Sequence, residues 1–408
     1  MRLDSQLSSA AAGNQTLRGD ESPVAISKWS RRRIVASALY HTGSLAAANH
    51  LAWTHDLKRC KGSTFPRLRS AAGSKFGILC YHRVGTDGIP LFSRLTPRMF
   101  EAQMHHVRKH FRVVSLGQLC REMQEELPVK PTLAVTFDDG YRDLYTHAFS
   151  VLRKYQIPAT IYLIGQCMET GEAPWYDRIF LALEGAAASS LELEMDSPRR
   201  YELSSPAARA AAAWGIISYL RSISNARRLA WCAAFERLIP VPQKELEGRM
   251  LDWQQVRSMS RAGIFFGAHT MSHPVLSQME TLALEAELVS SKQLLERGLG
   301  APVEDFAYPF GKPEDRSLDA EKLLKRYEYR SAVTTSYGLN TTGMDLFRLH
   351  RYQIDENDSL ASFAFDLSRM YLEGPAKSDS PQTAGSTDSI AEVESRRESE
   401  VFLARRDL

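Results

Sequence analysis

The stretch TLAVTFDDGY, residues 132–141, predicts a strand that ends in two adjacent carboxylates. Large apolar side chains occupy every second position from Leu133 to Phe137, as in a strand, and Gly140 supplies the sharp turn that ends it. Barrel enzymes keep their chemistry at the carboxyl ends of such strands, and the turn can bring Asp138 and Asp139 into one pocket. One carboxylate could then bind a cation while the other serves as a base. An Asp-Gly turn with solvated carboxylates is the structural alternative.

Other short runs of β-forming residues alternate with longer segments of helical period, which indicates a parallel sheet covered by helices. Seven such units favour an α/β barrel. The predicted strands are 76–81, 112–115, 132–137, 159–164, 263–268, 305–308 and 330–334, and the predicted helices are 98–110, 117–126, 144–155, 253–262, 281–298 and 315–326. The segment from about 180 to 250 is Ala-rich and helix-prone over 206–220 and 225–238, without a strand signal. Because its charge and apolar content predict a poor independent core, we interpret it as a helical insertion on the barrel rather than a separate domain.

The composition fits a folded protein with a sizeable core. Of the 408 residues, 44% are hydrophobic and 24% are charged, which excludes wholesale disorder. The net charge of +3 is unevenly distributed, since residues 1–75 hold 12 Lys and Arg against 4 Asp and Glu, whereas residues 76–373 hold 34 against 37. The central region is therefore not a basic nucleic-acid surface, and we expect no nucleic-acid partner.

The ends of the chain differ from its centre. Residues 1–27 and 374–408 predict disordered tails, and residues 28–75 predict a basic helical segment before the folded unit, 76–373. The apolar run 34–53 is interrupted too often for a membrane span. We interpret it as a surface helix, with a helix lying on a membrane surface as the alternative. Five scattered cysteines without a CxxC pair and no secretion signal favour the cytoplasm, with the inner membrane face as a narrower expectation.

The stretch HTMSHP, residues 269–274, directly follows the predicted strand 263–268. His269 and His273 are four residues apart, and neutral imidazole is a common ligand of divalent transition metals. An HExxH metalloprotease helix is excluded because Thr270 stands where that motif needs glutamate. With Asp139 the two histidines would make three ligands and leave a coordination position for water, as in catalytic metal sites. Two unrelated turn histidines are the structural alternative.

Together, TFDDGY and HTMSHP resemble the first two motifs of the polysaccharide deacetylases of the NodB-homology type, which are metal-dependent carbohydrate esterases. Residues 78–84, ILCYHRV, and the stretch 96–100 also resemble the start of many members, and the resemblance extends over 76–354 apart from the insertion. It implies a distorted (β/α)7 barrel that removes acetyl groups from an N-acetylated glycan, with a divalent metal, usually Zn²⁺, as its cofactor.

The resemblance also implies roles for individual residues. Asp139, His269 and His273 would hold the metal, and Asp138 would deprotonate the metal-bound water. The backbone N–H of Tyr141 would help to bind the tetrahedral oxyanion, a role that suits a fixed amide at a turn.

The later motifs match the family less closely. The family often has Arg-x-Pro-aromatic, whose arginine steadies the catalytic aspartate, whereas Ala307 stands in that position here. Tyr308, Pro309 and Phe310 would still shape the acetyl pocket.

The stretch FRLH, residues 347–350, approximates the late LxxH motif and implies that His350 is the general acid for the leaving amine. Arg351 is an alternative source of the missing positive charge.

Two further places are candidates for contact with substrate. His82 follows the first predicted strand, which would point it toward the same end of the barrel; a histidine bonded to backbone is the alternative. Trp175 and Tyr176, followed by Asp177, could line a sugar groove because aromatic faces suit pyranose rings, although such aromatics are more often core.

We interpret the chain as a metal-dependent deacetylase of a polysaccharide or glycan precursor, such as an exopolysaccharide precursor. A hydrolase of a small non-sugar amide or imide on the same scaffold is one alternative. A catalytically silent glycan-binding protein, suggested by Ala307, is another. No GxSxG, GxxxxGK[ST] or GxGxxG motif occurs, so nothing in the sequence supports serine-nucleophile or nucleotide chemistry.

Overall fold

The computed structural model describes residues 36–40, 42, 75–86, 94–125, 131–356 and 358–373. The strands are β1 (Lys75–Tyr81), β2 (Arg83–Val84), β3 (Arg94–Leu95), β4 (Arg112–Val113), β5 (Thr132–Phe137), β6 (Ala159–Leu163), β7 (Ser190–Glu194), β8 (Pro198–Glu202), β9 (Phe265–Ala268), β10 (Asp305–Ala307), β11 (Ser331–Val333), β12 (Asn340–Thr341) and β13 (Tyr352–Gln353). The helices are α1 (Pro97–His110), α2 (Leu116–Gln124), α3 (Phe149–Tyr155), α4 (Gly165–Thr170), α5 (Trp175–Gly185), α6 (Pro206–Ser222), α7 (Asn225–Leu238), α8 (Gln243–Leu246), α9 (Trp253–Arg261), α10 (Thr281–Leu299), α11 (Leu318–Arg326) and α12 (Leu360–Glu373). A π-helical turn, Leu144–Ala148, leads into α3.

One parallel sheet curves into a barrel. Its strands follow the order β11-β10-β9-β6-β5-β1, and each is parallel to the next. The segment 346–354 passes between the two outer strands, because Leu349 bridges to Val333 of β11 while β13 pairs with β1. The predicted α/β fold, a distorted (β/α)7 barrel, is confirmed.

The identity of one barrel strand differs from the prediction. The predicted strand 112–115 is only the two-residue β4, which pairs with the first residues of β5. The segment that contains Leu349 and β13 takes the seventh place instead. Its partners are β1 and β11, and no local periodicity indicates pairing over such a separation in sequence.

Side chains alternate between the barrel interior and the surrounding helices. In β5, Ala134 belongs to the inner apolar cluster, whereas Leu133, Val135 and Phe137 belong to the outer cluster beneath the helices. The same period directs Asp138, the next residue, inward. The side chain of Asp138 therefore faces the barrel interior at the carboxyl end of β5.

The insertion is not purely helical, which corrects the expectation of no strand. Strands β7 and β8 form an antiparallel hairpin from Ser190↔Glu202 to Glu194↔Pro198. Helices α6 and α7 lie where 206–220 and 225–238 predict them. The insertion also buries an apolar cluster that includes Ile216, Leu220 and Phe235 and continues to Tyr141 of the barrel, so this cluster is shared with the barrel.

Most predictions for the ends of the chain lie outside the described residues. Residues 1–27 and 374–408 lie wholly outside them, and of the segment 28–75 only 36–40, 42 and 75 are described. Residues 36–40 are helical, and the ring of Tyr40 lies 6.1 Å from that of His106 in α1. No helix within the described ranges has the length and apolar character needed to span a membrane.

Candidate active site

A tight turn after β5 directs both adjacent carboxylates into the barrel mouth. The N–H of Asp138 donates to the Tyr81 carbonyl at 2.9 Å, which continues the sheet. Asp139 and Gly140 then have φ values of 70° and 82°, the left-handed backbone that reverses the chain. A Cβ atom at Gly140 would lie 2.6 Å from Leu163 Cδ2, so glycine is required at this position. Both carboxylates are buried.

The histidine loop follows β9 and is held by its own threonine. The N–H of His269 donates to the Leu163 carbonyl at 2.9 Å. Thr270 and His273 have φ values of 65° and 53°, which residues other than glycine seldom adopt. Thr270 Oγ1 accepts a hydrogen bond from the His273 N–H at 3.0 Å and so stabilises this turn. As a result, the centroids of the two imidazole rings are 4.7 Å apart.

Asp139, His269 and His273 converge on one point. The distance between the two histidine Nε2 atoms is 3.2 Å, and Asp139 Oδ1 lies 3.6 Å from each of them. A tetrahedral zinc ion with bonds of about 2.0–2.1 Å has ligand atoms roughly 3.3 Å apart. The three atoms therefore have the spacing that a divalent metal requires, and the same three residues are the ligands that the sequence predicts.

The contacts of His269 fix its tautomer for metal binding. Nδ1 lies 2.7 Å from the Ala307 carbonyl, which can only accept, so Nδ1 carries the proton and Nε2 presents a lone pair. Burial lowers the pKa of His269 to about 4 and lowers the pKa of His273 well below its ordinary value. Both rings are neutral at pH 7, as ligands must be. Ala307, which lacks the family's arginine side chain, thus orients a candidate ligand through its backbone.

Asp138 is held by a buried ion pair with Arg351. Nη1 and Nη2 of the guanidinium each donate to one carboxylate oxygen at 2.7 Å, and the arginine side chain is 0% exposed. Burial alone would raise the pKa of Asp138, but Arg351 outweighs it and lowers that pKa below its ordinary range. Arg351 Nε also donates to the Thr334 carbonyl at 2.7 Å. Arg351 thus supplies positive charge where Ala307 does not.

Asp139 has the opposite environment. Burial and the adjacent charge of Asp138 raise the pKa of Asp139 well above its ordinary value. The Asp139 carboxylate faces two neutral imidazoles rather than a guanidinium. A divalent cation in the triangle of ligand atoms would supply the positive charge that favours its ionised form.

Two further side chains approach Asp138 from the end of β1. Cys80 Sγ donates to Asp138 Oδ2 at 3.6 Å, and His82 Nε2 lies 4.0 Å from the same oxygen. The side chain of His82 is 21% exposed, so solvent reaches it more than it reaches the buried Cys80 and Asp138. Sequence reasoning missed Cys80. The signal that could have found it is the two-residue period of β1, in which Ile78 also faces inward.

The backbone amide of Tyr141 faces away from the end of the insertion. Tyr141 and Met250 form an antiparallel bridge, and the neighbouring Arg142 N–H donates to the Arg249 carbonyl at 2.8 Å. Because backbone groups alternate in direction along an extended chain, the Tyr141 N–H points away from Met250. The amide is therefore fixed by its neighbours without being used in this bridge. Its predicted role as an oxyanion donor stays a prediction.

The stretch that follows β10 contributes one aromatic ring to the site. The ring centroid of Phe310 lies 4.8 Å from that of His273, and its backbone φ of 59° turns it there. Pro309 is buried beside it. Tyr308 differs from the prediction: it is 1% exposed and belongs to the outer apolar cluster, with its hydroxyl donating to the Phe347 carbonyl at 3.1 Å. The strand period sends Tyr308 outward, away from the pocket.

Trp175 and Tyr176 lie beneath the histidine loop rather than on an open groove, which corrects the predicted sugar platform. Trp175 is 9% exposed, and its indole N–H donates to the His273 carbonyl at 3.1 Å. The ring of Tyr176 packs edge-on against that of His273, 5.1 Å away. Burial raises the pKa of Asp177 to about 7. These residues support the candidate ligand His273 from below.

His350 faces a different side of the sheet from Arg351. Leu349 belongs to the inner cluster and Tyr352 to the outer one, so side chains alternate along this extended segment. His350 is therefore directed outward, and its backbone exchanges hydrogen bonds with the Asn340 side chain. This placement differs from the predicted one, in which His350 faces the pocket as a general acid.

Comparison with known proteins gives a consistent group of relatives. A family model described as polysaccharide deacetylase matches residues 126–331, which include both loops of the site. The YxkH protein of Bacillus subtilis (strain 168) carries polysaccharide deacetylase in its name. It is 21% identical to this chain over 305 residues, which cover 74% of this chain and 80% of YxkH.

Solved structures give similar matches. The Streptococcus pyogenes deacetylase PplD in complex with acetate is 21% identical, with a TM-score of 0.49 over 72% of this chain and 99% of PplD. IcaB from Ammonifex degensii is 18% identical, with a TM-score of 0.48 over 72% of this chain and 98% of IcaB.

Proposed function

The chain belongs to the polysaccharide deacetylase family, and we propose that it removes acetyl groups from the N-acetylated sugars of a polysaccharide or glycan precursor. The products are a free amine on the sugar and acetate. One observation carries the proposal: Asp139, His269 and His273 present three ligand atoms within 3.2–3.6 Å of one another, next to the ionised Asp138.

Asp139, His269 and His273 would hold the metal. One carboxylate and two neutral imidazoles suit Zn²⁺ among the common divalent ions. When bound, such an ion polarises the acetyl carbonyl and lowers the pKa of a water molecule toward neutrality. The Nδ1–H of His269 on the Ala307 carbonyl and the Thr270 hydroxyl on the His273 N–H would keep both rings in ligating orientation.

Asp138 would take the proton from the attacking water. Arg351 keeps this carboxylate ionised and orients it by two hydrogen bonds of 2.7 Å. A fixed base contributes typically 10²–10⁴-fold to the rate of such a reaction. The ion pair with Arg351 would therefore steady Asp138. In many family members this is the role of an arginine at the position of Ala307.

The tetrahedral oxyanion needs a hydrogen-bond donor, and the leaving amine needs a proton donor. The Tyr141 N–H, held at the turn by its neighbours, would donate to the oxyanion. His82 is a better candidate for protonating the amine than the outward-facing His350, because its Nε2 lies 4.0 Å from Asp138 Oδ2 and its side chain is 21% exposed. Burial lowers the pKa of His82 although Asp138 opposes this, so the free ring is neutral at pH 7 and would donate only a proton that it gains during the reaction.

Acetate release from N-acetylglucosamine oligomers tests the proposal. The purified full chain, stripped of metal and then supplied with Zn²⁺, should release one acetate for each amine formed, and excess chelator should abolish the release. Zinc binding with hydrolysis of small amides or imides but not of any N-acetylated oligosaccharide would instead identify the non-sugar hydrolase. If the chain binds oligosaccharides, but binds no zinc and releases no acetate, it is the silent glycan-binding protein.

A further inference from the structure

The carboxylate of Glu287, about two turns into α10, accepts hydrogen bonds from the loop between the two candidate histidine ligands. Glu287 Oε2 accepts the backbone N–H groups of Met271 and Ser272 at 2.8 and 2.9 Å, and Oε1 accepts the Ser272 hydroxyl at 2.5 Å. Three hydrogen bonds from consecutive residues thus end on one side chain. Hydrogen bonds to an ionised acceptor are roughly twice as strong as neutral ones.

The loop needs this support because its backbone is strained. Thr270 and His273, at either end of the pair that Glu287 binds, both have left-handed φ values. Such conformations are unfavourable for residues other than glycine and persist only where the surroundings over-determine them. Two parallel N–H donors on one carboxylate fix the path of the chain between His269 and His273.

An arginine of the insertion holds the same serine from the other side. Arg228 of α7 is 2% exposed, and its Nη2 donates to Ser272 Oγ at 3.2 Å. Its guanidinium also lies 4.9 Å above the ring of Trp175, whose N–H donates to the His273 carbonyl. The Ser272 hydroxyl therefore accepts from Arg228 and donates to Glu287, linking the insertion, the ligand loop and the barrel helix α10.

We propose that Glu287, assisted by Arg228 through Ser272, is a positioning residue that sets the affinity of the histidine loop for its metal. This inference rests on the metal site of the proposed function. Glu287 touches neither the metal ligands' ring nitrogens nor the pocket; it acts by keeping His269 and His273 in one geometry. Substitutions in such supporting residues typically cost 10–100-fold in metal affinity.

Equilibrium titration of the metal-free full chain with Zn²⁺ against a chromogenic chelator tests this proposal. Glu287→Ala should bind zinc 10–100-fold more weakly than the wild type. Glu287→Gln should stay within about threefold, because the amide oxygen still accepts both backbone N–H groups. Glu285→Ala is the matched control: Glu285 lies on the same helix and accepts from Tyr327 and Arg326, away from the loop, so zinc affinity should not change.

The melting temperature of the metal-free variants separates positioning from simple packing. Glu287→Ala and Glu285→Ala should melt within a few degrees of each other while only the former loses zinc affinity. If Glu287→Ala does not fold, Ser272→Ala removes the hydroxyl link alone and should weaken zinc binding severalfold. Wild-type zinc affinity in Glu287→Ala, or in Ser272→Ala where that variant decides, overturns the inference. A wild type that binds no zinc overturns the proposed function instead.

Discussion

The candidate site has two halves, each with one buried carboxylate, and the two carboxylates have different neighbours. The base half consists of Asp138, Arg351, Cys80 and His82, and its carboxylate is neutralised directly by a guanidinium at 2.7 Å. The ligand half consists of Asp139, His269 and His273, and its carboxylate faces neutral imidazoles. Adjacent aspartates therefore have pKa values displaced in opposite directions.

This contrast supports the proposed roles of the two carboxylates, Asp138 as base and Asp139 as metal ligand. In the base half, Arg351 lowers the pKa of Asp138 without any bound cation. The ligand half is complete only with a cation, and it is kept in shape by hydrogen bonds to the loop backbone from Thr270, Glu287 and Trp175. Changes in one half should thus leave the other intact.

Asp138→Asn should separate the two halves with the largest effect on rate. The amide cannot take a proton, so acetate release should fall about 10²–10⁴-fold. Zinc content, measured by atomic absorption on the same sample, should equal that of the wild type because Asp138 is not one of the three ligands. Near-normal turnover by the zinc-loaded variant would mean that Asp138 is not the base.

Arg351→Met should make Asp138 resemble Asp139. Burial then raises the pKa of Asp138 without a guanidinium to oppose it, and since the base works only above its pKa, the acid limb of the pH–rate profile should move upward by about 1–3 pH units. Removing one partner of a buried pair should also cost about 3–5 kcal/mol of unfolding free energy. Arg348→Met, which breaks the more exposed pair with Glu321, is the control and should leave the acid limb in place. An unmoved acid limb in Arg351→Met would contradict the pairing.

Trp175→Phe should weaken only the ligand half, and by the smallest amount. Losing the indole N–H on the His273 carbonyl removes about 1 kcal/mol, roughly a fivefold decrease in zinc affinity, with no shift in the pH–rate profile. Trp231→Phe removes a similar bond to the Glu194 carbonyl inside the insertion and should leave zinc affinity unchanged. Equal effects of both substitutions would indicate general loosening of the insertion instead.

Local patterns predict those parts of the site that follow directly from strand ends. The alternation of β5 and the position of HTMSHP after β9 are local, so the placement of Asp138, Asp139 and both histidines can be inferred from them. Arg351 is a candidate in the sequence only as one alternative source of the charge missing at Ala307; its contact with Asp138 depends on barrel closure, which brings together residues 213 positions apart.

Other differences between prediction and structure have identifiable causes. The hairpin of the insertion carries a short alternation, Leu191-Glu192-Leu193-Glu194, which is obscured by the Ala-rich helices that follow. The burial of Trp175 depends on the insertion packing under the histidine loop, and a count of aromatic residues contains no information about that packing.

The claim that Asp139, His269 and His273 bind one metal ion can be tested directly by an anomalous difference map at the zinc absorption edge. The map would come from crystals of the full chain grown with Zn²⁺. We expect one strong peak about 2.0–2.2 Å from Asp139 Oδ1, His269 Nε2 and His273 Nε2. A peak between Cys80, His82 and Asp138 instead would contradict this, as would no peak at all; among the described residues, these three also bring possible metal-ligating atoms within 4.8 Å of one another.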